Sequence, residues 1–310
     1  MRIRFHAALL ALWCAALPAG AAAGFPLRVT DDAGTAVTLA APPSRIVSLT
    51  LPTDEILTDL VDVSRLQAVT YLSVDAAVSN VAARVAAVPH KLDLNVEQIL
   101  SLSPDLVLVA DWNDAGAVAQ LRTAGVPVYL MKSAVSVASI EQKIMRLAML
   151  TGEQARGHAM IDRMDARLSA VARAVAGIPR ERRLSVIDYA TWGSAQGRGS
   201  SWDEMLRCAG LVDAVGSLAA DEWGQVPLSR EKLLELDPQV LVLPGWVYNN
   251  PAGADAFYQR IVRDPSLRGL QAVRNGRVYM MPERLKSATS QYFADAVEWL
   301  ARTAYPEVLK

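Results

Sequence analysis

Short apolar runs alternate along this chain with segments in which apolar positions recur every three or four residues. The runs are Arg45-Ile46-Val47-Ser48-Leu49, Leu66 to Thr70, Leu106 to Ala110, Val126 to Met131, Leu184 to Tyr189, Val240 to Leu243 and Val278 to Met281. Their lack of polar alternation predicts strands buried on both faces, as in a parallel sheet covered by helices. Between them the pattern predicts a helix capped by Thr53 with Asp54 and Glu55 in its first turn. Further helices are predicted over Ala117 to Ala124, Trp202 to Ala209, Ala254 to Val262 and Ser290 to Thr303. Ahead of the first run, residues 27 to 44 read as a strand and turn stopped by Pro42-Pro43. Strands alternating with helices in this way predict an α/β architecture.

One stretch is written twice. Asn95-Val96-Glu97-Gln98-Ile99-Leu100-Ser101-Leu102-Ser103-Pro104 leads into the run ending at Val109. Ser229-Arg230-Glu231-Lys232-Leu233-Leu234-Glu235-Leu236-Asp237-Pro238 leads into the run ending at Leu243. Glu97 meets Glu231, Leu100 meets Leu234, Leu102 meets Leu236 and Pro104 meets Pro238, at a constant offset of 134 positions. Each copy reads as a capped short helix, a proline that ends it and a buried strand. That is half of a βαβ unit, and two copies predict two α/β lobes of similar build.

Between the copies the texture changes. Ile140, Ile144, Leu147, then Ile161, Met164, Leu168, Val171 and Val175 carry amphipathic helical spacing. Gly152 and Gly157 interrupt it, each costing a helix about 1 kcal/mol relative to alanine. The expectation is a short helix, a break near Thr151-Gly152 and one long helix from Glu153 to Ala176. At 1.5 Å per residue such a helix spans on the order of 35 Å, enough to join one lobe to the next.

The N-terminus belongs to neither lobe. Arg2 and Arg4 precede an apolar run from Ala7 to Leu17, followed by Pro18, Gly20 and small residues through Ala23. This predicts a secretory signal peptide cleaved before Gly24. Leu12-Trp13 ahead of Cys14 do not make a lipobox, so Cys14 is read as part of the signal. Cys208 is then the one cysteine of the mature chain, which excludes an internal disulfide. Loss of Arg2 and Arg4 moves the formal charge from −1 to −3. A slightly acidic chain without a basic stripe argues against nucleic acid as a partner.

Enzyme signatures are missing. The chain has no Gly-x-Ser-x-Gly elbow, no Gly-x-Gly-x-x-Gly and no phosphate loop. No His, Cys and carboxylate residues stand at metal-ligand spacing. His158 falls on a solvated face of the long helix. What recurs is an aromatic residue just past a predicted strand or in a loop between elements: Tyr71, Trp112, Trp192, Trp223, Trp246 and Tyr248. Open α/β sheets bind ligands outside the carboxyl ends of their strands, so two facing lobes would set these rings around one cleft. Indoles there suit a bulky, planar guest. Arg198 and Arg284, in loops expected on the same side, are candidates to pair with anionic oxygens on it. Glu97 and Glu231 each stand two places past a cap, so neither is committed to a capping box. Presented symmetrically on two lobes, they are spaced to meet basic residues on a twofold partner.

Three segments taken together resemble the periplasmic substrate-binding proteins of ABC importers for ferric siderophores, haem and vitamin B12, the class III family. They are Val29 to Gly34 with Arg45 to Leu49, Glu97 to Val107, and Leu206-Arg207-Cys208-Ala209-Gly210-Leu211-Val212-Asp213-Ala214. The last stands where many members have Gly-Gly-Val-Asn. The resemblance implies two Rossmann-like α/β lobes joined by a single long α-helix, a shallow cleft and modest closure. It places a signal peptide at 1–23, the N-terminal lobe at 24–138, the helical linker at 139–178 and the C-terminal lobe at 179–310. It implies a periplasmic, monomeric receptor without enzymatic activity or resident cofactor, which delivers a cobalt- or iron-containing chelate to a permease dimer. Glu97 and Glu231 match the family's paired acids and would dock on permease arginines. Tyr71, Trp112, Trp192 and Trp223 fall at or near the aromatic positions of the vitamin B12 binder, which favours a corrinoid over a siderophore or haem. Departures are Val74-Asp75 in place of a Tyr-Pro pair and Lys91 near a tryptophan position. Tyr71 and His90 are the residues the resemblance offers as ligands to iron or cobalt.

Overall fold

The computed structural model describes residues 24–222 and 224–309. The expected signal peptide and Trp223 lie outside the described residues. Two α/β lobes are present, each built on a parallel sheet. In the first, a hairpin of Leu27–Thr30 and Ala36–Leu39 precedes a five-stranded sheet. Its order is His90–Leu92, Leu66–Thr70, Ile46–Ser48, Leu106–Ala110, Val128–Met131. The second lobe holds four parallel strands in the order Val212–Asp213, Ser185–Asp188, Val240–Pro244, Val278–Met281. In both, the chain runs to one side of the lobe's first strand and then crosses to the other. That crossing creates a switch point between Ile46–Ser48 and Leu106–Ala110, and another between Ser185–Asp188 and Val240–Pro244.

The repeat holds residue for residue. Leu106–Ala110 and Val240–Pro244 are the same five positions, 134 apart, and every residue of both strands is buried. Their pleats sort the side chains identically. Val107 and Val109 face helices private to the first lobe, Leu241 and Leu243 those private to the second. Leu106, Leu108, Val240 and Val242 all point into one shared core, where helices from both lobes meet. Ser103 and Asp237, the residues before the two prolines, both take left-handed backbone, at φ 47° and 39°.

The joining segment is two helices. Val137–Thr151 opens on a capping box between Ser136 and Ser139 and ends at Gly152, whose φ of 79° turns the chain. Gln154–Val175 follows, 22 residues long and therefore about 33 Å. Gly157 does not break it. It lies where the two helices cross, with space for a Cβ only 2.6 Å from the Ala148 methyl. Arg167 on the long helix pairs with Asp295 at 2.6 Å and Glu298 at 2.7 Å on the last helix, Phe293–Ala304.

Other boundaries shift for local reasons. The first helix starts at Leu51 rather than at Thr53, because Thr50 is the cap and Pro52 suits the first turn. Glu283 and Arg284 stand in a short helix, Glu283–Lys286, instead of a loop. The Gly/Ser-rich stretch after Tyr189 carries Ser194–Gln196, paired antiparallel with Gln225–Pro227. No helix among the described residues is long and apolar enough to cross a membrane.

A second tie links the lobes where residues 284–292 of the second lobe return to the first. Arg284 donates its backbone N–H to the Ala77 carbonyl (3.1 Å), and its own carbonyl accepts from Asn80 Nδ2 (2.7 Å). Ser290 donates to the Glu55 carboxylate, which also accepts from Asn80 N (3.0 Å) and Nδ2 (2.8 Å). Gln291 Nε2 reaches the Glu55 carbonyl at 2.9 Å and Asp59 at 2.8 Å. Burial pushes the Glu55 carboxyl above its ordinary pKa.

Candidate functional site

The carboxyl ends of the strands carry the exposed rings. Tyr71 directly follows Thr70, the last residue of its strand, and starts a 3-10 turn. That strand end is pinned from below by Asp54, which accepts from Thr70 N at 3.0 Å and from the Ser73 hydroxyl. Complete burial pushes the Asp54 carboxyl well above its usual range. Trp112 stands two residues past Leu106–Ala110 and is 57% exposed. A tight turn presents it: Ala110 N donates to Asn113 Oδ1 (2.7 Å), and Asp114 caps the next helix.

In the second lobe Trp192, 74% exposed, sits on a turn closed by Gly193 at φ 79°. Trp246 follows Pro244 by two residues, the same place in the repeat that Trp112 holds. Between them Gly245 packs its Cα against the neighbouring strand end. A Cβ there would lie 2.4 Å from the Met281 carbonyl oxygen, so only glycine lets the loop leave the sheet at this angle. The Trp246 ring meets Tyr248 edge-on, with centroids 5.8 Å apart at 68°.

The two rims come close. Across the lobes, Tyr248 lies near enough to Tyr71 that its hydroxyl, ahead of burial, raises the Tyr71 phenol's pKa. Tyr71 therefore faces the Trp246–Tyr248 pair from the other lobe. Trp192 lines a cavity of about 300 Å³ in the second lobe, together with Asp188 and Lys286. Asp188 ends its strand 2% exposed, and Lys286 Nζ lies 3.2 Å from it. Burial raises the Asp188 carboxyl's pKa against the pull of that ammonium and of Gln196 N.

The remaining candidates line other grooves or edges. Arg198 lines a groove of about 600 Å³ with Arg180, Arg183, Arg207, Asp203 and Asp213, beside the edge strand Val212–Asp213. Arg284 belongs to the seam between the lobes and borders a groove with Arg167, Asp295 and Arg302. His90 begins an edge strand, and Lys91 beside it is tied to the Ala86 and Val88 carbonyls. His158 is exposed on the long helix. Cys208 is half-buried, and burial pushes its thiol up to about 11, which makes it a poor nucleophile. Among the described residues, no three His, Cys, Asp or Glu side chains are grouped to hold a metal.

Glu97 and Glu231 are exposed in the first turns of Val96–Ser101 and Arg230–Leu236. Their caps are engaged elsewhere: Asn95 Oδ1 accepts from Gln98 N (3.0 Å) and Ser229 Oγ from Lys232 N (3.1 Å). The Glu231 carboxyl is held below its ordinary pKa, first by its own backbone N–H and then by the Ser229 hydroxyl. Missing from the sequence reading were Asp188, Lys286 and the equivalence of Trp112 with Trp246. The last had a signal, the same 134-position offset carried three residues beyond the compared stretch.

A profile described as periplasmic binding protein matches residues 46–285 of the chain. An uncharacterized ABC transporter substrate-binding lipoprotein of Bacillus subtilis, YvrC, is 25% identical over 292 residues, 92% of this chain and 88% of that one. A cobalamin-binding protein of Halobacterium salinarum is 29% identical over 221 residues, 71% of this chain and 59% of that protein. Among solved structures, the molybdate-bound periplasmic binding protein MolA of Haemophilus influenzae superposes with a TM-score of 0.75 at 19% identity. It covers 91% of this chain and 92% of its own.

Proposed function

The chain belongs to the periplasmic binding protein family, the solute-capturing side of ABC importers, and from that premise we propose that it carries a corrinoid. The ligand is held between the lobes and handed to an inner-membrane permease dimer. The observation that carries this reading is the pair of aromatic rims at the two switch points. Tyr71 and Trp112 stand on one, Trp192 and Trp246 on the other, with Tyr248 near enough to Tyr71 to shift its phenol. Large flat faces at the strand ends suit a macrocycle better than a small hydrated ion. The cobalamin-binding relative supports the same choice. A ferric siderophore or haem is the second reading, since the same rings would stack on either.

Glu97 and Glu231 are the docking acids in this proposal. They occupy equivalent places on the two lobes and are exposed there, as a twofold permease surface requires. The chain acts as an exported receptor once the segment ahead of Gly24 is removed, within the domain limits set out above.

Calorimetric titration of the purified mature chain with cyanocobalamin, haemin, a panel of ferric siderophores and molybdate tests the ligand. Cyanocobalamin is expected to bind in the micromolar to nanomolar range, about −8 to −12 kcal/mol. Trp112→Ala should weaken it by at least tenfold, and Trp223→Ala is expected to do the same. Unchanged affinity in both variants would overturn the placement of the site.

A further inference from the structure

The cavity of about 300 Å³ beside Trp192 is too small for a macrocycle and lies at the low end of the roughly 300–1,000 Å³ range of whole-ligand pockets. It is sized for one arm of a larger guest. Its position fits that use, since Asp188 ends one strand of the second lobe and Glu283 follows the end of another, on the ring-bearing side of the sheet.

Its polar groups are already arranged. Trp202 lines the cavity with 2% of its surface exposed, and its Nε1–H, also buried, has no hydrogen-bond partner. A buried indole donor left unpaired costs about 1–3 kcal/mol, which an acceptor from outside would recover. Asp188 is spent on Gln196 N at 2.8 Å and on Lys286 at 3.2 Å, so it fixes the ammonium and leaves that group's other donors for a guest. Gln225 uses its Oε1 on the Ser194 hydroxyl (2.7 Å), which orients its amide N–H₂. Glu283, which accepts from Ser287, adds acceptor oxygens. Two carboxylates against one ammonium give the lining a net negative charge.

We propose that this cavity is a subsite for a primary carboxamide arm of the transported ligand, and that it rejects a carboxylate arm. The carbonyl oxygen of a carboxamide accepts from Trp202 Nε1 and Lys286 Nζ, while its N–H₂ donates to Glu283. A carboxylate has no N–H to offer Glu283 and brings a third negative charge into a space with one cation. The subsite thus deepens the corrinoid reading, on which it rests for the identity of the guest, because corrinoid side arms end in carboxamides whereas haem carries carboxylates.

The test uses the full mature chain labelled with ¹⁵N-tryptophan. The Trp202 indole resonance is assigned by its loss in Trp202→Phe and followed during titration with propionamide and, separately, propionate. Propionamide is expected to shift it and propionate to leave it in place. Glu283→Gln should let propionate shift it too. An equal response to both probes in the wild-type chain, or to neither, overturns the subsite. Should Trp202→Phe not fold, the Glu283→Gln chain still decides through the contrast between probes, read on whichever indole resonance propionamide moves. Trp202→Phe should also weaken cyanocobalamin by about tenfold, the loss of one hydrogen bond to a buried donor. If cyanocobalamin fails to bind while propionamide still shifts the resonance, the corrinoid reading falls and the carboxamide subsite stands. If cyanocobalamin binds with equal affinity to wild type and Trp202→Phe, and propionamide is silent, the subsite falls and the corrinoid reading stands.

Discussion

Gly157→Ala sets two opposing effects against each other. Alanine is the better helix former by up to about 1 kcal/mol, which favours the variant. Against that stands the crossing of Val137–Thr151 with Gln154–Val175. A Cβ at 157 would lie 2.6 Å from the Ala148 Cβ, where carbon atoms normally rest about 3.5–4.0 Å apart. Met145 Sδ, at 3.2 Å, can swing aside, but Ala148 is fully buried and its methyl has no torsion to relieve the overlap. The helices would have to part by about 1 Å, and overpacking of this kind costs roughly 1–3 kcal/mol. The overlap wins, and the variant should be less stable by up to about 2 kcal/mol, the overpacking cost less the propensity gain, measured by urea unfolding followed through far-ultraviolet circular dichroism. Ala148→Gly should also destabilise, through lost burial and helix propensity. Combined, the two changes move one methyl across the interface, so the double variant should recover at least about 1 kcal/mol relative to the sum of the singles. A midpoint that rises in Gly157→Ala, or a strictly additive cycle, would refute the reasoning.

Two further outcomes follow from the same structure. Charge reversal of Glu97 and Glu231 together should abolish ligand uptake in a reconstituted transport assay while leaving affinity in solution unchanged; normal uptake would reject the docking assignment. Glu55→Gln should remove a pH dependence. Because burial raises the folded-state pKa of Glu55, the folded chain holds a proton that the unfolded chain has released. Stability from this group is therefore full below the unfolded carboxyl's pKa and is lost as pH rises through the raised one. Denaturation midpoints across that window should fall less steeply in the glutamine variant, and an unaltered slope would show that Glu55 does not titrate with folding.

The parallel strands and both repeat copies were legible because burial on two faces leaves an apolar run that little else produces. Leu106–Ala110 and Val240–Pro244 could be read to within a residue. The helix start at Leu51 was not, since Thr50 and Thr53 are equally plausible caps and only backbone dihedrals separate them. Gly157 was legible as an anomaly but not as a contact: its partner, Ala148, is an unremarkable small residue on another helix. The rings after the strands were visible as a list, and their positions relative to the strand ends follow from the sheet rules. The approach of Tyr248 to Tyr71 depends on how two separately encoded lobes are set against each other, and no local pattern records that. Arg198 and Arg284 illustrate the limit, as each follows a second-lobe element yet points into a different groove from the tryptophans.

The return of residues 284–292 onto the first lobe has a mechanical consequence. A pair of bodies joined by one rod can swivel about it, but here a clamp holds a second point, through Glu55, Asn80 and Asp59. The assembly is braced like a frame with two fastenings, and the easy degree of freedom left to it is a small flex rather than a wide swing. Escape of the guest would then be governed by how firmly its faces adhere to the indoles, and by whatever outside force pries the frame apart.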